Sequence, residues 1–221
     1  MRVCMIGAGY VGLVSGACFA EFGHHVTCID KDAHRIAALN AGEIPIFEPG
    51  LAELVDANVR QGRLNFAAET TRVADADAVF IAVGTPSRRG DGYADLSFVY
   101  QAVRDIAPLL PANAVVVTKS TVPVGTGDEI EHILRDLRPD ADLPVVSNPE
   151  FLREGAAIQD FKHPDRIVVG TADARAKEVV ADIYRPLYLN AAPMLYVSRR
   201  TAELIKYASN AFLATDRKSV V

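Results

Sequence analysis

Short apolar runs rich in Val, Ile and Phe alternate with helix-length amphipathic stretches along the chain. Arg2 to Ile6 reads as a strand, Tyr10 to Phe22 as a helix ending at Gly23, and His25 to Ile29 as a second strand. A helix from Ala33 to Asn40 stops at Ala41-Gly42, a common helix C-terminal signal. Ile44 to Gly50 carries two prolines that remove backbone donors, so it is a shaped loop before the helix Leu51 to Arg60. Beyond it the pattern predicts strands at Leu64–Ala67, Ala78–Val83, Ala114–Lys119, Leu143–Ser147 and Arg166–Gly170, with Met194–Ser198 as an edge strand. The intervening helices are Ser97–Leu109, Gly125–Leu137 and Asp173–Tyr184, and Gly84 to Asp95 is a polar, glycine-rich loop.

Strands separated by helices need crossover connections, which favour a mainly parallel sheet wound on both faces. The expected fold class is α/β, doubly wound and Rossmann-like. The expected boundary puts one domain at residues 1–198 and the start of a long helix at 199–221.

Composition narrows the function classes. Half of the 221 residues are hydrophobic and the net charge is −5, so a sizeable core is available and no basic surface for nucleic acid is present. Val3 to Ala20 carries no charge and follows Arg2, the outline of a secretory signal or membrane span. Gly7 and Gly9 would weaken a continuous apolar helix there, and a strand resumes at His25, so a soluble strand-turn-helix-strand unit accounts for the segment. Cys4, Cys18 and Cys28 lack the paired spacing of a disulfide framework or zinc site and read as reduced core thiols of a cytoplasmic protein, with no metal expected.

Gly7-Ala8-Gly9-Tyr10-Val11-Gly12 joins the first strand to the first helix. The first glycine permits the turn, the second lets backbone approach a pyrophosphate, and the third lets helix pack on sheet, while the helix start supplies N–H donors. Asp30 follows eighteen residues after Gly12, where an acid accepts from ribose hydroxyls and repels a 2′-phosphate, favouring NAD over NADP. Capping of the next helix is its alternative role. Arg35 lies close enough to contact phosphate or ribose. Thr85 and Thr121 each follow a buried strand at the edge where cofactors lie, although turn chemistry alone explains such residues.

Downstream, Asn148-Pro149-Glu150-Phe151-Leu152-Arg153-Glu154-Gly155 sets two carboxylates four residues apart after an apolar strand, and Pro164-Asp165-Arg166 opens the next. Lys206 and Asn210 share one face of the last helix, which is either solvated or lines a cleft. Together with the glycine motif these segments resemble the UDP-glucose/GDP-mannose dehydrogenase family from Arg2 to about Thr215.

The resemblance implies NAD-dependent oxidation of the C6 hydroxyl of UDP-glucose to the carboxylate by two hydride transfers. It implies that Gly7, Gly9, Tyr10, Val11, Gly12, Asp30, Arg35, Thr85, Thr121 and Glu154 bind the dinucleotide. Glu150, Phe151, Leu152, Arg153, Glu154, Lys206 and Asn210 would hold the nucleotide sugar. Glu150 would be the general base, Lys206 would stabilise developing oxyanion charge, Asn210 would orient sugar or water, and Thr121 would face the reacting carbon with a bound water. The family's nucleophilic cysteine has no counterpart in Cys4, Cys18 or Cys28, so the sequence reads as the front half of an enzyme, inactive alone, whose full form is a homodimer or higher homo-oligomer. GDP-mannose or another nucleotide sugar is the alternative substrate; a hydroxyacid-type dehydrogenase, which would not explain Asn148 to Gly155 or Pro164 to Gly170, and a non-catalytic NAD-binding protein are the other readings. The helical pattern breaks at Asp216 to Val221.

Overall fold

The computed structural model describes residues 1–90, 92–188 and 192–216; the sequence break beyond Asp216 lies outside them. The chain runs β1 (Arg2–Ile6), α1 (Tyr10–Glu21), β2 (His25–Ile29), α2 (Ala33–Asn40), α3 (Leu51–Arg60), β3 (Leu64–Ala67) and β4 (Ala78–Ile81). It continues with α4 (Ser97–Ile106), β5 (Val115–Thr118), α5 (Thr126–Leu137), β6 (Val145–Ser147), α6 (Ala157–Lys162), β7 (Ile167–Gly170), α7 (Ala174–Ile183), α8 (Arg185–Tyr188), β8 (Met194–Val197) and α9 (Arg199–Asp216).

The sheet order is β3-β2-β1-β4-β5-β6-β7-β8. Every pair is parallel except β6–β7, where Ser147 faces Gly170 in antiparallel register. The doubly wound, mainly parallel sheet read from the sequence is therefore present, with the reversal confined to β7 and β8. Strands β4 and β5 are buried along their whole length, as a sheet covered on both faces requires.

Alternating strand positions feed two apolar layers. One gathers Met5, Phe19, Phe80, Val117 and Phe161 beneath α1, α3 and α6, and the other gathers Ile6, Ile81, Val116, Ile106 and Ile130 beneath α4 and α5. In the first layer the Phe19 ring meets Phe80, Phe161 and Tyr184 at centroid distances of 5.1, 5.2 and 5.2 Å. Helix α1 has nine consecutive buried residues, Gly12 to Ala20, which explains the uncharged N-terminal run without a membrane. Among the described residues no helix is long and apolar enough to cross one.

Helix α9 is tied to the sheet by its front half. Glu203 is buried and accepts from the N–H groups of Gly125 and Gly127 at 2.6 and 2.7 Å, capping α5 in place of a local side chain. Arg199 pairs with Asp128 and Glu131 on α5. Ala202 packs so close to β7 that a Cβ on Gly170 would lie 2.5 Å from its own, so only glycine admits the helix there. Further on, Leu204, Tyr207, Phe212 and Leu213 are exposed.

Candidate active site

The glycine turn is shaped for close backbone approach. Gly7 has φ +102°, and a Cβ added there would lie 2.6 Å from the Ala82 carbonyl oxygen. A Cβ on Gly12 would fall 1.8 Å from the Gly7 oxygen, whereas Gly9 faces open space. Helix α1 begins at Tyr10 with no side-chain cap, so its first-turn N–H groups face the space beside Gly9. Crowding at Gly7 and Gly12 with openness at Gly9 is the arrangement a pyrophosphate needs.

Asp30 stands at the end of β2. Its Oδ2 accepts from Ala8 N–H at 2.8 Å and from Arg35 Nη1 at 2.8 Å, and its Oδ1 from Asp32 N–H at 3.0 Å. Burial pushes the carboxyl up, but the N–H groups of Asp32 and Ala8 and the Arg35 guanidinium outweigh it and hold Asp30 below the usual range. Capping of α2 falls to Asp32 instead, which accepts from His34 and Arg35 N–H groups. Asp30 is thereby left at the strand end, ionised and beside the glycine turn.

Thr85 and Thr121 meet: the Thr85 hydroxyl donates to the Thr121 carbonyl at 2.9 Å, joining the loops after β4 and β5. The Ser120 hydroxyl fastens the same junction through the Val83 carbonyl at 2.6 Å.

A cleft of about 640 Å³ lies beyond β6, lined by Glu150, Phe151, Leu152, Arg153, Arg166 and the back half of α9, among others. Lys206 Nζ lies 3.0 Å from Glu150 Oε1, with side chains only 8% and 10% exposed. Glu150 Oε2 accepts from Leu152 N–H at 2.8 Å, so the carboxylate turns its own loop back on itself. Two cations lie over the Phe151 ring, Arg166 at 4.7 Å and Lys206 at 5.4 Å from its centroid. Arg153 is exposed and pairs with Asp160 at 2.6 Å; Glu154 is also exposed. Asn210 is exposed and is not among the lining residues, whereas Ser209 beside it is, within 3.4 Å of Arg166 Nη2. The structure thus brings Lys206, Glu150 and Phe151 together and leaves Asn210 apart from them.

Two residues of this region escape a reading by pattern. Lys119, immediately after β5, is buried and donates to the Asn148 side-chain oxygen at 3.3 Å and to the Tyr184 hydroxyl at 3.0 Å. Burial, partly offset by the nearby Glu150 charge, lowers its ammonium to about 8. A lysine ending an apolar run, Val115-Val116-Val117-Thr118, was the available signal. Glu48, from the proline loop, is the second; it accepts from Gly155 and Ala157 N–H groups, both at 2.8 Å. All three cysteines are free and buried, and burial pushes the Cys4 and Cys18 thiols up to about 12. Such thiols are poor nucleophiles.

The description "UDP-glucose/GDP-mannose dehydrogenase family, NAD binding domain" matches residues 1–188. The chain belongs to this family. Among curated relatives, the UDP-glucose 6-dehydrogenase of Rhizobium meliloti is 67% identical over 217 residues, 97% of this chain and 50% of that protein. Among solved structures, a UDP-glucose dehydrogenase from Pyrobaculum islandicum has a TM-score of 0.91 at 43% identity, covering 96% of this chain and 50% of that one. A GDP-mannose dehydrogenase from Pseudomonas aeruginosa has a TM-score of 0.90 at 34% identity, covering 98% and 50%. The chain spans about half the length of the curated relatives it matches. Within the family's NAD-binding domain, the open face at Gly9 and the acid at Asp30 fit the dinucleotide that gives the domain its description.

Proposed function

We propose that this chain contributes the dinucleotide site and part of the sugar site of an NAD-dependent dehydrogenase that oxidises the C6 hydroxyl of UDP-glucose to the carboxylate. The observation that carries the reading is the buried Lys206–Glu150 pair, whose carboxylate lines the cleft beside Phe151 while Lys206 stands behind it. High identity to the R. meliloti UDP-glucose 6-dehydrogenase supports UDP-glucose as the sugar nucleotide.

In this reading Gly7, Gly9, Tyr10, Val11, Gly12, Asp30, Arg35, Thr85, Thr121 and Glu154 hold NAD, which supplies the electron acceptor when bound. Lys206 presents its ammonium to the oxygen that gains negative charge, already oriented by Glu150. Glu150 accepts the proton of an attacking water at the oxygen that Lys206 releases, a role suited to a carboxylate held at the cleft wall. Thr121 brings a hydroxyl to the cofactor edge, and Asn210 would reach the sugar only after α9 or the substrate moves to meet it. Phe151, Leu152 and Arg153 carry the nucleotide sugar along the Glu150 loop. Residence in the cytoplasm, self-association through the exposed apolar residues of α9, and a domain boundary near Arg199 belong to the same proposal, supported by three unpaired thiols and by Leu204, Tyr207, Phe212 and Leu213.

GDP-mannose is the second reading, favoured by the likeness to the P. aeruginosa GDP-mannose dehydrogenase. Calorimetric titration of the NAD-saturated chain with both sugar nucleotides separates the two. Binding of UDP-glucose ahead of GDP-mannose, weakened in Phe151→Ala and Lys206→Ala, is expected. Tighter binding of GDP-mannose, or no dependence on Phe151 and Lys206, would overturn the assignment.

A further inference from the structure

The loop Ile44 to Gly50 is fixed by two prolines and by Gly50 at φ +79°, yet it exposes Phe47 and buries Glu48, which is 6% exposed. Burying the charged member of a loop and exposing its aromatic neighbour is costly unless the charge is satisfied. Glu48 is satisfied entirely by hydrogen-bond donors. Its Oε2 accepts from the Tyr10 hydroxyl and from Gly155 N–H at 2.8 Å, and its Oε1 accepts from Ala157 N–H at 2.8 Å. The Ile158 N–H adds a further contact, and the same donors, outweighing burial, hold the carboxyl below its ordinary value. No ion pair to Glu48 occurs among the described residues, so its position is set by these groups alone.

The donors come from two places, the dinucleotide turn and the end of the Glu150–Glu154 loop. Tyr10 opens α1, one residue after Gly9, in the turn that faces the pyrophosphate. Gly155, Ala157 and Ile158 close the segment that begins at Glu150 and passes through Glu154. The Tyr10 hydroxyl itself lies 3.3 Å from Gly155 N–H, so phenol, carboxylate and amide form one compact junction. Gly155 adopts φ +83°, a left-handed conformation that glycine takes without steric cost, and its N–H is turned onto this junction, while Asp160 holds the loop from its other side through Arg153.

We propose that Glu48 is a positioning residue that couples occupancy of the dinucleotide turn, through Tyr10, to the placement of the Glu150–Glu154 loop. The inference rests on the proposed function only in taking NAD as the ligand that bears on the first turn of α1. Contact of that ligand with the turn fixes Tyr10; Tyr10 fixes one oxygen of Glu48; the carboxylate then fixes the amides of Gly155 and Ala157. Affinity for the second ligand depends on the first because both stabilise the same arrangement of one carboxylate.

Hydrogen exchange on the 221-residue chain tests both halves. Without NAD, Glu48→Ala should raise exchange at residues 155–158 about tenfold or more over the wild type while the central strands stay protected. With NAD, the wild type should slow exchange both at residues 8–13 and at 153–158. Tyr10→Phe, which keeps the ring and removes only the hydroxyl, should lose the second effect when compared with the wild type at NAD concentrations that give equal slowing at residues 8–13. Equal slowing of residues 153–158 in Tyr10→Phe overturns the coupling, and unchanged exchange in Glu48→Ala overturns the positioning role. If Glu48→Ala does not fold, Tyr10→Phe and Glu48→Gln decide, since both keep the side-chain volume. Failure of the wild type to bind NAD would instead sink the cofactor reading and the coupling with it, leaving the cofactor-free exchange of Glu48→Ala to judge the positioning role by itself.

Discussion

Lys206 Nζ and Glu150 Oε1 stand 3.0 Å apart with both side chains at least nine-tenths buried, a pair whose members each depend on the other for solvation. Removing one partner leaves a buried charge unpaired, at a cost of roughly 3–5 kcal/mol. Lys206→Met should therefore lower unfolding free energy by about that amount, and the double variant Lys206→Met, Glu150→Gln should recover most of it. Urea denaturation of the four proteins in the cycle measures this. Additive losses would mean that the pair is not coupled as the geometry states.

Asp30 and Arg35 hold each other at 2.8 Å beside the glycine turn. The carboxylate meets a 2′-phosphate with like charge, while the guanidinium that could welcome it is occupied. Asp30→Ala removes the repulsion and frees Arg35 at once. Selectivity for NAD over NADP should fall by roughly tenfold or more, equivalent to about 1.4 kcal/mol. Calorimetry with both cofactors reads it, and unchanged selectivity would remove Asp30 from that role.

Lys119 gives stability a pH dependence of unusual sign. Its folded value of about 8 lies below the ordinary lysine value, so the folded state releases the proton first as pH rises. Between about pH 8 and the unfolded value of about 10.4 the unfolded chain binds more protons, and this group's contribution to stability increases with pH. Below pH 8 the penalty of a buried charge, of the order of 3 kcal/mol, is fully present. Lys119→Met should flatten the rise in thermal midpoint between pH 8 and 10. A wild-type profile with no such rise, or one unchanged in the variant, would contradict the assignment.

Glu203 accepts from two backbone N–H groups at the start of α5. Glu203→Ala leaves both without their partner and should destabilise the protein by about 1–3 kcal/mol. Hydrogen exchange should accelerate in residues 199–206 more than in the strands. In the unchanged protein the front half of α9 should be protected and the half beyond Tyr207 should exchange fast.

Buried thiols also bear on turnover. With Cys4 and Cys18 raised to about 12 by burial, no thiolate in this chain is available to attack an aldehyde. The 221-residue chain, given NAD and UDP-glucose, should form no UDP-glucuronate and accumulate no acyl-enzyme. Mass spectrometry of the protein and measurement of NADH check this; sustained turnover abolished by changing one cysteine would show that a buried thiol becomes reactive.

Much of the fold was legible because each strand is a short apolar run bounded by turn residues and each long helix carries its period. Leu51–Arg60 and Leu64–Ala67 coincide with the expectation to the residue. Helix α6 escaped notice, since six residues are too few to display a period. Gly7, Gly9, Gly12 and Asp30 were readable because local backbone shape dictates those residue types. Glu48 and Glu203 were not. Their partners are backbone amides 107 and 78 residues away in sequence, and an acid in a proline loop or on a helix face looks solvated until the fold closes over it. Lys119 likewise becomes conspicuous only when Tyr184 is folded against it.

The reversal at β7 has a consequence for how the last helix is keyed to the domain. Because β7 and β8 run against β6, α9 starts near Gly170 and ascends beside the sheet, meeting α5 at Glu203 before reaching Glu150 at Lys206. Both contacts lie on one helix three residues apart, so their relative angle is fixed by helical phase. A single residue inserted between them would turn everything beyond it by about 100°. The cap on α5 could remain while the ammonium swings away from Glu150. Sheet polarity thus makes α9 a graduated rod: where Glu203 seats it determines which turn faces Glu150.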